Sequence, residues 1–223
     1  MSAAGVLFDL DGVLVATEKL KARAHAETVE RLGGSLDPGY YSQVMGKSHY
    51  LAAKAFSEVG GIPFEHVRYA EIFRATYGRA LEEGVELMPG ARSLVRTLRA
   101  RGYRLAVVSS SLRWMMDTVL ARAGLAEHFD ADISGDDVSA EKPAPDPYLK
   151  ALAELDLAPE RTAVVVEDTE SGVASAAAAG VSAIAVRHEF NVLHDFSGAA
   201  AVVDGLEDVQ AVVDLIEEIV EPG

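Results

Sequence analysis

The 223-residue chain predicts an α/β fold: a Rossmann-like parallel sheet with an inserted all-helical domain. Three observations carry this reading. Short β-branched runs alternate with amphipathic helical stretches, the pattern of a sheet with helices on its faces. Between Thr17 and Glu83 the alternation stops and helix follows helix. Finally, four polar clusters stand at the carboxyl ends of the expected strands, where open parallel sheets bind their ligands.

In chain order, Gly5 to Leu10 reads as the first strand. The stretch after it is punctuated only by turn residues at Gly33-Gly34, Asp37-Pro38-Gly39, Gly60-Gly61 and Pro63, and no strand pattern interrupts it. It predicts a second, smaller domain over residues 16–87, with the α/β core formed by 1–15 and 88–223. Its junctions, near 14–17 and 84–89, are placed to act as hinges. The core continues with a helix over 90–102, a strand over Arg104–Ser109, a helix over 112–125 and a weaker strand over Ala131–Ser134. A helix over 145–156, strands over Ala163–Glu167, Ser182–Val186 and Ala200–Val203, and helices over 170–179 and 207–219 complete it. Gly102, Gly124 and Gly180 mark the ends of three of these helices.

Composition narrows the function. The chain is 49% apolar and 25% charged, which excludes disorder as its main state. Without cysteine it has no disulfide, no thiolate metal site and no thiol nucleophile, so any metal is held by oxygen or imidazole. With 20 basic against 35 acidic residues, it is no nucleic-acid binder, because phosphate neutralisation needs concentrated Lys and Arg. The surplus is uneven: residues 1–104 carry 14 basic and 12 acidic side chains, and the remainder carry 6 and 23. No apolar run reaches membrane-spanning length, and the first residues lack the basic and apolar regions of a signal peptide. A cytoplasmic protein with no membrane partner is expected.

The polar clusters are Phe8-Asp9-Leu10-Asp11-Gly12, Ser109-Ser110-Ser111, Glu141-Lys142-Pro143 and Glu167-Asp168-Thr169. Taken singly, an Asp after a buried strand is a turn former or helix cap, a serine at a strand end is a cap, and Lys-Pro is an exposed turn. All four in one chain converge on one crevice. Asp9 and Asp11, two apart on an extended strand, would share a face. Asp9, Glu167 and Asp168 together would repel one another by several kcal/mol at an effective dielectric near 20 unless a cation is present. An all-oxygen set suits Mg²⁺, which accepts one or two carboxylates, waters and a substrate phosphate. Lys142 adds a counter-charge, and Ser109 offers a hydroxyl and a backbone N–H. Such a set supports phosphoryl transfer to a carboxylate followed by hydrolysis.

In this arrangement the sequence resembles the haloacid dehalogenase superfamily of aspartate-nucleophile phosphotransferases. Asp9-Leu10-Asp11-Gly12-Val13 is similar to its first motif, Ser109 to its second, Lys142 to its third and Glu167-Asp168-Thr169-Glu170-Ser171-Gly172 to its fourth. The helical insertion is similar to the cap of the β-phosphoglucomutase and sugar-phosphatase branch. The resemblance implies that Asp9 is nucleophile and Mg²⁺ ligand, and that Asp11 is general acid/base with its backbone carbonyl on the metal. It implies further that Ser109 and Ser110 with Lys142 hold the phosphoryl group, and that Glu167 and Asp168 complete the metal set. Asp11 favours phosphate chemistry over dehalogenation, because a halide leaves without a proton.

Thr17-Glu18 and Gly46-Lys47-Ser48 lie where that branch's cap contacts fall, so Thr17, Lys47, His49 and Arg113 are candidate substrate-binding residues. Lys21 and Arg74 could also bind an anion, and all these cations otherwise read as solvated surface residues. His188 and His194, without His or Cys partners, read as surface-loop residues, and Trp114 as packing. Where mutase-like relatives carry Asp, His and Arg in the cap, this chain has Ala16, Lys21 and His49, which weakens the grip on a second phosphate. The expected function is a monomeric Mg²⁺-dependent phosphatase of a small phosphorylated metabolite, a sugar phosphate. A phosphosugar mutase and a non-catalytic metabolite- or partner-binding module are the alternatives.

Overall fold

The computed structural model describes residues 4–158 and 162–220. Six strands, β1 (Gly5–Phe8), β2 (Arg104–Val108), β3 (Ala131–Ile133), β4 (Ala163–Glu167), β5 (Ser182–Val186) and β6 (Ala201–Val203), form one parallel sheet in the order β3-β2-β1-β4-β5-β6. Between β1 and β2 come α1 (Glu18–Arg31), α2 (His49–Val59), α3 (His66–Glu83) and α4 (Ala91–Ala100). The next strands are linked by α5 (Arg113–Ala123), α6 (Asp146–Glu154) and α7 (Glu170–Ala178), and α8 (Val209–Ile219) follows β6. Leu7 pairs with Ala106 of β2 on one side and Val165 of β4 on the other. The strand order reverses at β1, and this opens a crevice at its carboxyl end.

The central strands read as unbroken apolar runs because both sheet faces are covered. Side chains alternate between the faces. Val6, Phe8, Val107 and Val166 pack with Leu94, Leu98, Met116 and Ile216 from α4, α5 and α8. Leu7, Ala106, Val108 and Val165 pack with Tyr148, Leu152, Val173 and Ala176 from α6 and α7. Among the described residues, no helix is long and apolar enough to cross a membrane.

The insertion is helical. Tyr69, Phe73, Tyr77 and Leu81 recur every four residues along α3 and are at most 1% exposed. They join Val29 of α1 and Phe56 of α2 in a core continuous with the first helical layer, each ring contributing roughly 1.5–3 kcal/mol on burial. The two crossings between insertion and core run side by side: the Ala16 amide donates to the Glu86 carbonyl at 2.8 Å and the Met88 amide to the Leu14 carbonyl at 3.0 Å.

Two details depart from expectation. β1 ends at Phe8, not Leu10, because the Leu10 carbonyl accepts the Leu14 and Val15 amides and turns the chain back. The extended geometry expected to align Asp9 with Asp11 is therefore absent. Short 3-10 turns at Pro38–Gln43, Ala126–His128 and Gly135–Asp137 also occur, too brief to leave a periodic signal.

Candidate active site

A cavity of about 90 Å³ lies between the carboxyl ends of the central strands and the helical insertion; Asp9, Asp11, Ser109, Lys142 and Asp168 line it from the core. Lys142 is the buried cation on the core side of it, reaching it on the loop before α6. Its Nζ donates to Asp9 Oδ1 at 2.6 Å, Glu167 Oε1 at 2.7 Å and the Val108 carbonyl at 2.8 Å. Burial opposes the charge, but the two carboxylates hold the ammonium well above its ordinary pKa. Burial, joined by repulsion from Glu167 and Asp11, outweighs Lys142 at Asp9 and pushes its carboxyl up to about 7.

Glu167 does not face the cavity. Its Oε2 accepts the Asp168 and Thr169 amides, both at 2.8 Å, and the Thr169 hydroxyl at 2.9 Å, while Oε1 takes Lys142 and the Tyr148 hydroxyl. These donors and Lys142 outweigh burial and hold its carboxyl below the ordinary value. Gly172 is what lets α7 come this close, since a Cβ there would lie 1.8 Å from Glu167 Oε1.

Asp11 belongs to the opposite wall. Its Oδ1 accepts from the Thr17 hydroxyl, and its Oδ2 meets Lys21 Nζ at 2.7 Å and the Ser111 hydroxyl at 2.8 Å. Thr17 and Lys21 sit one turn apart at the start of α1, so both oxygens are held largely from the insertion. Burial raises the Asp11 carboxyl, but Lys21 and the hydroxyls bring it below its ordinary value. Farther out, His25 and Phe73 stack at 4.2 Å between ring centroids. Burial, with neighbouring positive charge, pushes His49 down to about 4, so His25, His49 and Phe73 form a neutral, aromatic stretch of the outer wall beside Lys47.

The sequence-predicted residues separate into groups. Asp9, Asp11, Ser109, Ser110, Lys142 and Asp168 meet at the cavity, with Lys47 and His49 facing them from the insertion. Thr17, expected against substrate, is fully buried against Asp11. Arg113 is not on the cavity wall: it pairs with Asp117, Asp132 and Asp137 at the start of α5, and three carboxylates hold it away from any substrate. Lys21 is 9% exposed, not a solvated cap residue. His188 is no free surface residue either, its Nε2 lying 2.8 Å from Asp168 Oδ2. His194 accepts the Glu170 amide, and Trp114 packs edge-on against Tyr77.

Lys21 had a legible signal, since it follows Thr17 by four residues on a helix and so shares its face. His188 had one too, two residues past the carboxyl end of β5. Ser111 and Tyr148 lacked any signal separating them from ordinary helix and cap positions.

The set expected on a metal is the carboxylates of Asp9, Glu167 and Asp168 with the Asp11 backbone carbonyl. Among the described residues no three His, Cys, Asp or Glu side chains converge as a metal cluster, because Glu167 turns toward Lys142. Asp9 and Asp168 remain. Asp168 Oδ1 is buried without a hydrogen-bond partner among the described residues. Burial, then the charges of Asp9 and Glu167, push its carboxyl well above the ordinary range. Two crowded carboxylates with an orphaned oxygen fit a hard divalent cation, and Mg²⁺ needs no more than one or two when waters and a phosphate complete its shell.

Comparison with known proteins agrees with this geometry. A family model described as haloacid dehalogenase-like hydrolase matches residues 6–186. The protein CbbY of Rhodobacter capsulatus is 32% identical over 215 residues, covering 89% of this chain and 92% of that protein. The fructose-1-phosphate phosphatase YqaB of Escherichia coli is 30% identical over 186 residues, covering 82% of this chain and 96% of that protein. The crystal structure of CbbY from Rhodobacter sphaeroides in complex with phosphate superposes with a TM-score of 0.83 at 28% identity, covering 93% of this chain and 96% of that chain.

Proposed function

The chain belongs to the haloacid dehalogenase-like hydrolases, and from that premise we propose that it is a phosphatase cleaving the monoester of a small phosphorylated sugar through an aspartyl-phosphate on Asp9. The observation that carries this reading is the opposite setting of two carboxylates two residues apart. Asp9 lies against Lys142 at the floor, and Asp11 is held by hydroxyls and Lys21 at the wall. The sugar-phosphate class rests on the relatives' activities and on the neutral, aromatic stretch of the outer wall.

In the first step an Asp9 carboxylate oxygen bonds to phosphorus while the bond to the sugar oxygen breaks, and Asp11, ionised beside Lys21 in the free site, delivers to that leaving oxygen a proton it takes up as the anionic substrate binds. In the second, Asp11, now ionised, takes a proton from water as the water oxygen attacks phosphorus, releasing inorganic phosphate and restoring Asp9. Lys142 offsets the charge on Asp9 and the incoming phosphoryl oxygens, and the Ser109 hydroxyl and the Ser110 amide would donate to them. Mg²⁺, held by Asp9, Asp168 and the Asp11 carbonyl, would supply charge neutralisation at the phosphoryl group. Residues 16–87 act as a cap that closes over the leaving group and excludes water, with Lys47 at its rim.

Mutase chemistry demands a grip on a second phosphate. Arg113, the arginine expected against substrate, is committed to three aspartates, which favours hydrolysis. The test is free-phosphate release across a panel of sugar phosphates with Mg²⁺, with and without chelator, for the wild type and Asp9→Asn. Chelator-sensitive release that falls at least 10³-fold in the variant is expected. Unchanged release by Asp9→Asn would remove the nucleophile assignment. An isomerised sugar phosphate as product, formed only with a bisphosphate activator, would reassign the protein as a mutase.

A further inference from the structure

Asp168 is gripped from a direction the phosphoryl chemistry does not use. His188 lies just beyond β5, and its Nε2 is 2.8 Å from Asp168 Oδ2. The Phe190 amide donates to His188 Nδ1 at 3.2 Å, so Nδ1 is the acceptor and the imidazole proton belongs on Nε2, aimed at the carboxylate. The same loop grips the backbone: Asn191 Nδ2 donates to the Asp168 carbonyl at 2.9 Å and its Oδ1 accepts the His188 amide at 2.9 Å. Gly12 makes room for the contact. A Cβ there would lie 2.1 Å from Asp168 Oδ2 and 2.8 Å from His188 Nε2.

The two carboxylate oxygens of Asp168 are thereby made unequal. Oδ2 is occupied by a fixed donor, and Oδ1 is the orphan. We infer that His188 is a positioning residue for the metal centre: its Nε2–H saturates one oxygen of Asp168 and presents the other for single-oxygen coordination of the divalent cation. The inference rests on the proposed role of Asp168 as a ligand. Hydrogen-bonded partners of metal-ligating carboxylates fix ligand orientation, and their removal weakens metal binding by about 10–100-fold. His188 lines a separate, solvent-open cavity of about 410 Å³ at the hinge, so truncating the imidazole opens space to water and leaves the packed core intact.

The experiment titrates Mn²⁺, as a paramagnetic stand-in for Mg²⁺, into the substrate-free protein and reads the free ion by electron paramagnetic resonance. Wild type, His188→Ala, His188→Gln and Asp168→Ala are compared, with circular dichroism to verify folding. His188→Ala is expected to weaken binding about 10–100-fold. His188→Gln, whose amide N–H reaches the place of Nε2–H, is expected to stay within about threefold of wild type. Wild-type affinity in His188→Ala, or equal losses in both variants, overturns the positioning role. Should His188→Ala fail to fold, His188→Gln against His188→Leu decides the same question. Undiminished binding by Asp168→Ala, or none by the wild type, sinks the assignment of Asp168 itself and is thereby told apart from failure of the His188 proposal.

Discussion

The two halves of the catalytic cavity are built on different principles. On the core side, Asp9, Lys142 and Glu167 form a buried ion-paired unit whose members all lie within or just beyond the α/β sheet. On the cap side, the oxygens of Asp11 are satisfied largely by Thr17 and Lys21 at the start of α1. The phosphorus-facing half is thus preassembled by the core. The proton-handling half is complete only when the cap helix is in place. On the proposed mechanism, Asp11 is therefore correctly placed for proton transfer only with α1 packed over the site.

The comparison can be broken at its strongest contact first. Lys142→Met removes the one buried cation of the core half and leaves Asp9 and Glu167 crowded and unpaired. Phosphate release is expected to fall about 10²–10³-fold, with about 3–5 kcal/mol of stability lost. Near-normal turnover by a well-folded variant would show that the core half is not electrostatically preassembled. A smaller effect is expected from Lys21→Met, about 10-fold in kcat. Loss of this ammonium raises the Asp11 pKa, so the alkaline limb of the pH–rate profile, where Asp11 loses the proton it must donate, should move to higher pH. An unmoved limb would detach the cap half from proton transfer.

The smallest effect sharpens the contrast by pH. Without metal, the folded Asp9 carboxyl titrates at about 7, above its ordinary value of 3.8. Between these values the folded state keeps a proton that the unfolded chain has lost, so stability from this group falls as pH rises from about 4 to 7. Asp168 acts in the same direction. Asp11 and Glu167, with lowered values, lose their contribution only at lower pH. Thermal melts in chelator should therefore give a Tm a few degrees higher at pH 5.5 than at pH 7.5, and Mg²⁺ should narrow the gap. A chelated Tm that rises with pH across this window would contradict the crowding of the core carboxylates.

The core half was largely legible. Strands buried on both faces leave continuous apolar runs, and parallel topology sends their carboxyl ends to one edge, so Asp9, Ser109, Lys142 and Asp168 could be brought together before any coordinates. The role of Glu167 was not legible, because identity and position are shared by a metal ligand and a lysine's counter-ion; only the direction of its side chain, toward Lys142, distinguishes them. The cap half was legible as helices and almost nothing more. Lys21 in the cap and Arg113 on the core helix α5 carry the same kind of charge near a helix start, yet one is buried against Asp11 and the other is clasped by three aspartates.

Hydrophobic periodicity is a local property, and parallel strands send their carboxyl ends to one edge, so the sequence alone determined the parallel sheet, the helical insertion and the edge on which the chemistry lies. Which oxygen of each carboxylate is occupied, and by which donor, depends on side-chain directions set by tertiary packing, even where the partners are close in sequence. The tertiary structure alone decided that Glu167 serves Lys142, that Asp11 is held from the cap and that His188 meets Asp168.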